Sequence, residues 1–408
     1  MRFLVFAVFI FISIRAFALP NTAPAPSSAL HTQTQRLQVG AARFNDYIPA
    51  LKNKSVSLVV NQSALVNKQH LVDALIERNI NLVSIMSPEH GFRGNKGAGE
   101  KVAHAIDPKT GLPIHSLYGK NKKPTKEMLD GVDIIVFDIQ DVGVRFYTYL
   151  STLHYVLEGA AAAGIPVILL DRPNPNGAYT DGPVLSPQFS SFVGMHPIPV
   201  LHGMTLGELA QMIKGEQWIS KAASLQLTVI PVANYNKSMP YHLPVAPSPN
   251  LPNEVAIALY PTLCFFEPTA VSIGRGTQYP FQLIGHPDVP LGIDNIDVTS
   301  VAAAPYPKHE NKTLKATLLT KSTMTGLNIE LLLTTYNTFK QYNVPFFTRP
   351  EFFDKLAGTD TLRKDIIEGK KNAKEIRAQW QPELNKFIVQ RQPYLLYPTH
   401  YKRLNAHE

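Results

Sequence analysis

Between about residues 40 and 230, short apolar runs alternate with helix-like segments, and this alternation limits the possible folds more than any other feature of the 408-residue chain. Val56–Val60, Leu82–Met86, Val132–Asp138 and Ile165–Leu170 read as strands. Each is an almost unbroken apolar run, as expected of strands buried on both faces. His70–Arg78 reads as a helix with Leu71, Leu75 and Ile76 on one face, and Met128–Gly131 ends a short one. Tyr149–Ala163 is an Ala-rich helix closed by Gly164, a suitable C-terminal cap. Strands alternating with helices imply parallel β-α-β units and an open, covered sheet. The fold class is therefore α/β, with a sheet domain over 40–240. From 241 the character changes: Pro244, Pro247, Pro249 and Pro252 punctuate the chain, irregular strands follow, and a helical tail covers Thr361–Ile388. A smaller C-terminal α/β (α+β) domain is expected over 241–408.

Composition narrows the setting. Residues 1–18 combine a basic start, an apolar run and small residues at Ala16 and Ala18, the pattern of a secretory signal peptide. The apolar run ends at Arg15, short of the roughly 20 residues a membrane span requires. Residues 19–39 read as a linker rich in Pro, Ala and Ser, with no cysteine near the cleavage site to take a lipid. No later stretch is apolar enough to cross a bilayer, so the expectation is an exported protein, periplasmic or secreted. The single cysteine, Cys264, lies in an apolar run and reads as a buried core residue. The net charge of +8 is spread along the chain, with Lys120–Lys126 as its only dense run. No aromatic-interleaved basic stripe of the nucleic-acid kind is present. Anionic polymers such as cell wall fit the charge. No protein partner is inferred.

Open α/β sheets bind ligands at the carboxyl ends of their strands. Four polar loops follow the four strands: Asn61-Gln62-Ser63, Pro88–Arg93, Asp138–Arg145 and Asp171–Gly177. Asp138, Asp141, Asn174 and Asn176 equally suit turns and helix caps. Glu89 has little turn preference, and Pro88 and Gly91 around it suggest a rigid presentation. His90 fits a site or a buried hydrogen bond.

Several chemistries fail on spacing. A His-x-x-Glu-His metal motif needs histidine at 86, where Met86 stands. Gly203-Met-Thr-Leu-Gly207 imitates a nucleophile elbow, but Thr205 to Glu208 reads better as a capping box. Gly97-Ala-Gly99 lacks the third glycine of a dinucleotide loop. Carboxylate chemistry remains. Glycoside hydrolysis needs a protonated acid at the leaving oxygen, and Glu89 fits by type and position. The second group is open: Asp138, Asp141, Asp171 or Glu267, or the substrate's own acetamido oxygen. Arg275, between Gly274 and Gly276 and followed by Thr277, reads as a reader of carboxylates.

The segments SPEHGFRG, DIQDVGVRFYTY, DRPNPNG, VGMHPIPVLHGMTLGELA, PSPNLP, SIGRGTQYPFQLIGHP, FFDKLAGTDTLR, WQPEL and PYLLYP occur in that order. With them the chain resembles the NamZ-type exo-β-N-acetylmuramidases, glycoside hydrolases once grouped as a domain of unknown function. The resemblance spans about Val56 to Pro398. It implies a Rossmann-like N-terminal domain, a smaller C-terminal domain and a cleft between them. It also implies release of N-acetylmuramic acid from the non-reducing end of peptidoglycan fragments, without metal or organic cofactor. Carried onto this sequence, it makes Glu89 the leading catalytic acid, with His90 and Asp141 beside it. Asn61, Arg93, Asp138, Gln140, Arg145, Tyr147, Asp171, Arg172, Asn174, Asn176, His202, Asn250, Glu267 and Thr277 would line the sugar site. Arg275 is assigned to the lactyl carboxylate of muramic acid from its chemistry alone. Pro268 stands where glycine is expected. Val289–Lys315 matches poorly and is expected to form variable surface. The rival readings are a periplasmic sugar-binding protein of the same architecture and an esterase or amidase using Thr205 or a serine.

Overall fold

The computed structural model describes residues 36–89, 91–92 and 105–398. The elements run α1 (Phe44–Leu51), β1 (Val56–Val60), a hairpin of β2 (Leu65–Val66) and β3 (Gln69–His70), α2 (Leu71–Ile76), β4 (Leu82–Ser87), β5 (Ala105–Ile106), β6 (Pro113–Ser116), β7 (Ile134–Asp138), α3 (Tyr149–Ala163), β8 (Val167–Leu170), α4 (Leu206–Gly215) and β9 (Leu227–Ile230). The second half holds α5 (Glu254–Leu263), β10 (Leu283–His286), β11 (Asp294–Asp297), β12 (Thr313–Leu318), α6 (Ile329–Gln341), α7 (Pro350–Ala357), α8 (Thr361–Glu368) and α9 (Ala373–Gln390).

Seven strands form one sheet in the order β5-β6-β4-β1-β7-β8-β9. Every pairing is parallel except β5 against β6 at the edge. Counting only the six parallel strands, the spatial order is third, second, first, fourth, fifth, sixth. That is the doubly wound Rossmann-type order, and it puts the switch in winding direction between β1 and β7.

The apolar strands divide their side chains by the two-residue period. Leu58, Val60, Val136 and Ile168 pack with Tyr47, Leu51, Leu71 and Leu75 of α1 and α2. Val59, Phe137, Val167 and Leu169 face the other way, toward Leu153, Leu157, Leu209 and Ile213 of α3 and α4. This second core continues without a break to Phe265, Phe339, Phe353 and Phe387 in the C-terminal half. The sheet β10-β12-β11 is antiparallel and has its own small core of Leu283, Val298, Leu314 and Ala316.

Three local expectations change. The tail over 361–388 is two helices, because Gly369 takes a left-handed φ of 65° and Asn372 starts α9 with a reciprocal capping box. β5 is only two residues, β6 is Pro113-Ile-His-Ser116 with one aliphatic side chain, and β9, Leu227-Thr-Val-Ile230, is apolar but short and mostly half-exposed, so none announces itself. Residues 289–315 are not merely surface, since they supply β11, the start of β12 and one wall of the cleft described below.

Candidate active site

A cavity of about 760 Å³ opens where the carboxyl ends of β4 and β6 and the loop before α3 meet the C-terminal half. Its sheet-side wall is Glu89, Tyr118, Tyr147, Thr148 and Tyr149. Glu89 follows β4 by two residues, and Tyr118 follows β6 by two. Thr148 sits at the N-cap of α3. Its hydroxyl donates to Glu89 Oε2 at 3.2 Å. The Tyr118 hydroxyl bonds to the same carboxyl, and burial followed by the Glu89 charge pushes its pKa up to about 12. Burial, and then the same charge, raises that of Tyr149. The hydroxyls round Glu89 therefore remain donors at neutral pH. Tyr147 and Tyr149 both donate to the Pro247 carbonyl, at 3.0 and 3.2 Å, which fixes their rings against the Pro-rich loop.

The opposite wall carries positive charge. Arg275 Nε donates to Glu267 Oε1 at 2.6 Å. Arg275 lies between Gly274 and Gly276, whose φ values of 86° and 79° favour glycine. Burial alone would raise the Glu267 carboxyl, but Arg275 and then Lys308 outweigh it and hold it below the usual range. Lys308 Nζ reaches the carbonyls of Thr269 and Val271 at 2.6 Å each and of Phe266 at 3.1 Å. Its burial lowers the ammonium to about 8, so it stays largely protonated at neutral pH. Arg349 is exposed, lines the same cavity and donates to the Glu267 carbonyl at 3.0 Å. Three cations thus share one carboxylate.

Of the residues chosen from sequence, the fold brings Glu89, Tyr147, Asn250, Glu267 and Arg275 around this cavity. Asn250 is tied down there, donating to the Ala303 carbonyl at 2.8 Å. His90 and Arg93 lie outside the described residues, as do Gly97 and Gly99.

The remaining described candidates are not on the cavity wall, and each has partners within the protein, although Asn61 Nδ2, Gln140 Oε1, Asp141 Oδ2 and Arg145 Nε are buried without one among the described residues. Asp138 and Arg172 form a fully buried bidentate pair at 2.5 and 2.8 Å. Asn61 accepts from Ser63 N and Oγ, and Gln140 donates to the carbonyls of Asp141 and Pro173. Asp171 accepts from Thr205, Tyr397 and Gly207 N, while Thr205 closes a reciprocal capping box on α4 with Glu208. Thr205 is thereby a cap and not a nucleophile. Asn174 and Asn176 bond to the Met204 and Val142 carbonyls. Arg145 is buried and donates to the carbonyls of Pro183, Ile198 and Leu356. Asp141 accepts from Gly143 N at 2.6 Å, and burial pushes it up to about 7. His202 accepts from Met204 N, and Thr277 closes the turn at Gly274.

Reading the sequence missed Tyr118, Thr148, Tyr149, Lys308 and Arg349. Thr148 and Tyr149 sit at the end of a polar loop already singled out. Tyr118 follows an unrecognised strand. Lys308 and Arg349 come from loops with no pattern and meet only through the fold. Among the described residues, no group of three His, Cys, Asp or Glu side chains could hold a metal ion.

A doubly wound sheet, with a carboxyl held by hydroxyls at one wall of its cleft and a cation cluster at the other, defines an α/β protein built to handle a polar anionic ligand. The chain belongs to the exo-β-N-acetylmuramidase NamZ family: the N-terminal family model matches residues 56–255 and the C-terminal one 258–397. It is 38% identical over 377 residues to the peptidoglycan β-N-acetylmuramidase NamZ of Bacillus subtilis, covering 86% of this chain and 89% of that one. Two crystal structures of DUF1343 family proteins from Bacteroides fragilis share its fold. One is 43% identical with a TM-score of 0.80, the other 28% identical with 0.75; each match covers 89% of this chain and 99% of the other.

Proposed function

We infer that the chain is a glycoside hydrolase that removes N-acetylmuramic acid from the non-reducing end of peptidoglycan fragments. The observation that carries this reading is the pairing of Glu89 with a surplus of positive charge across one cavity. Muramic acid differs from glucosamine by a lactyl ether bearing a carboxylate, so a site that selects it must supply cationic donors. Arg275 keeps Glu267 in place, and its remaining donors, with Arg349, suit that carboxylate. Glu89 delivers a proton to the leaving glycosidic oxygen as the C1–O bond breaks, and water completes the hydrolysis. Thr148 and Tyr118 orient the carboxyl. His90 and Arg93 follow Glu89 in the chain and are proposed to flank it. Asp141 and the other sealed residues are proposed to hold the loops that carry these groups.

Export belongs to the same proposal. A signal peptide over 1–18 would deliver the mature chain to the periplasm or the medium, where its polymer lies. Among the described residues, no helix is long and apolar enough to cross a membrane. N-terminal sequencing of the mature protein checks this, and an intact Met1 in the exported fraction would contradict it.

The test of activity is incubation with the disaccharide N-acetylmuramyl-β-1,4-N-acetylglucosamine. Free N-acetylmuramic acid should appear, and the matching disaccharide with glucosamine at the non-reducing end should survive. Tight calorimetric binding with no product would favour the sugar-binding protein.

A further inference from the structure

The loop over residues 299–308 has a feature that packing does not account for. Tyr306 is 92% exposed, yet it lies on the wall of the cavity. The loop that carries it is anchored at several points. Thr299 N donates to the Gly276 carbonyl at 2.9 Å, and Val301 bridges Ala304. Asn250 holds the Ala303 carbonyl, and Lys308 is fixed by backbone carbonyls on the other side. A methyl group at Gly276 would stand 2.6 Å from Pro307 and from the Thr299 carbonyl, so the loop is pressed against the turn of Arg275. An aromatic side chain left in water on an anchored loop is free to receive a ligand without a further cost of ordering the backbone.

The cavity has room for more than the sugar that is released. N-acetylmuramic acid has roughly twenty non-hydrogen atoms; if each takes less than the ~30 Å³ share of a liquid water, one unit fills under about 600 Å³ of the 760 Å³. The lining grades from buried Phe281 and Tyr260 to half-buried Phe352 and exposed Tyr306. The terminal sugar belongs at the enclosed end, and the leaving sugar at the exposed one. A pyranose has an apolar C–H face that stacks on an aromatic ring, whose face is negative.

We propose that Tyr306 is a stacking platform for the sugar on the leaving side of the scissile bond, making the enzyme selective for a glycan leaving group over a small one. The proposal rests on the muramidase reading of the cavity. Tyr306 touches no reacting atom, so its role is specificity.

The test compares two substrates in the full-length protein: the disaccharide and β-N-acetylmuramyl fluoride, which has the same glycone and a leaving group too small to stack. Tyr306→Ala should lower kcat/KM on the disaccharide about three- to tenfold, chiefly through KM. Turnover of the fluoride should be unchanged. Tyr306→Phe, which keeps the ring, should restore the disaccharide value. Equal loss on both substrates, or no loss on the disaccharide, overturns the platform and leaves the muramidase reading standing. Failure of the unaltered protein to turn over either substrate overturns the muramidase reading, and the platform with it. Tyr306 is solvent-facing, so its variants are expected to fold.

Discussion

Two places at the carboxyl ends of the same sheet are crowded with polar side chains, and they have opposite characters. The crevice between β1 and β7, where doubly wound sheets commonly hold ligands, is sealed by Asp138–Arg172 and the hydrogen bonds of Asn61, Gln140 and Asn174. The space left beside Asp171 and Arg172 is about 10 Å³, room for one water at most. The cavity beside β4 and β6 sets three cations, Arg275, Lys308 and Arg349, against two carboxyl groups, Glu89 and Glu267. Polarity at a strand end therefore does not mark a site by itself. What marks one is charge that the protein leaves for something else to match. The largest expected effect breaks the open side: Glu89→Gln should cut kcat on the disaccharide by about 10²–10⁴-fold, the usual share of general acid catalysis. The melting temperature should hold. A variant that keeps full turnover would remove Glu89 from the chemistry.

The sealed side should answer in stability. Arg172→Leu strands the Asp138 carboxylate in the core, and breaking a buried pair from one end costs about 3–5 kcal/mol. Urea unfolding should show that loss. Replacing Asp138 as well, in Asp138→Leu/Arg172→Leu, should recover much of it, since no lone charge remains. A large fall in kcat/KM of the folded Arg172→Leu protein would show that the crevice is part of the site after all.

Acid should act on the buried histidines. His196 and His202 are buried, and burial above all pushes both down to about 3. His154 and His202 face His196, while Arg391, Lys237 and Arg145 face His202. A folded histidine pKa below the unfolded ~6.5 means that the unfolded chain binds more protons as pH falls. Stability from these groups is full above pH ~6.5 and declines toward pH ~3, by up to about 1.4 kcal/mol per pH unit for each. Burial raises Asp141 to about 7 and Asp171 to about 6, so these carboxyls take up protons in the folded state and oppose the histidines over the same window. The readout is therefore the difference between proteins: urea midpoints of His202→Gln should fall less, or rise more, between pH 7 and 5 than those of the unaltered protein. A slope that His202→Gln leaves unchanged would contradict the assignment.

How much of this could be read beforehand follows from what each feature depends on. β1 matched its apolar run residue for residue, and α3 its periodicity and its Gly164 cap. Both are decided by local sequence. Glu89 was legible because a Pro-Glu-x-Gly turn after a strand has few structural uses. The fate of Asp138 and Arg172 was not, since two residues 34 positions apart look alike whether they face each other or a ligand. The cation wall was legible only at Arg275, where glycines flag the turn. Lys308 and Arg349 carry no local signal, and α5, α7 and the 299–308 loop must pack before they meet.

Arg275 stands on the border between the two characters, and it makes the finest test. Its pairing with Glu267 belongs to the protein, and its remaining donors are proposed for the substrate. Arg349 is on the open side alone, exposed and held by one backbone contact and the face of Phe352. Arg349→Gln should therefore raise KM for the muramyl disaccharide about tenfold, as for a charged hydrogen bond of about 1.5 kcal/mol, with the melting temperature unmoved. Added salt should weaken the unaltered enzyme's binding more than the variant's, because exposed charge is screened. Arg275→Gln should raise KM and also lower stability, since Glu267 loses its nearest counter-charge. If both variants change KM alone, Glu267 is free to be matched by Lys308, and Arg275 belongs wholly to the open side. If Arg349→Gln leaves KM and its salt dependence untouched, the anion-binding wall shrinks to Arg275.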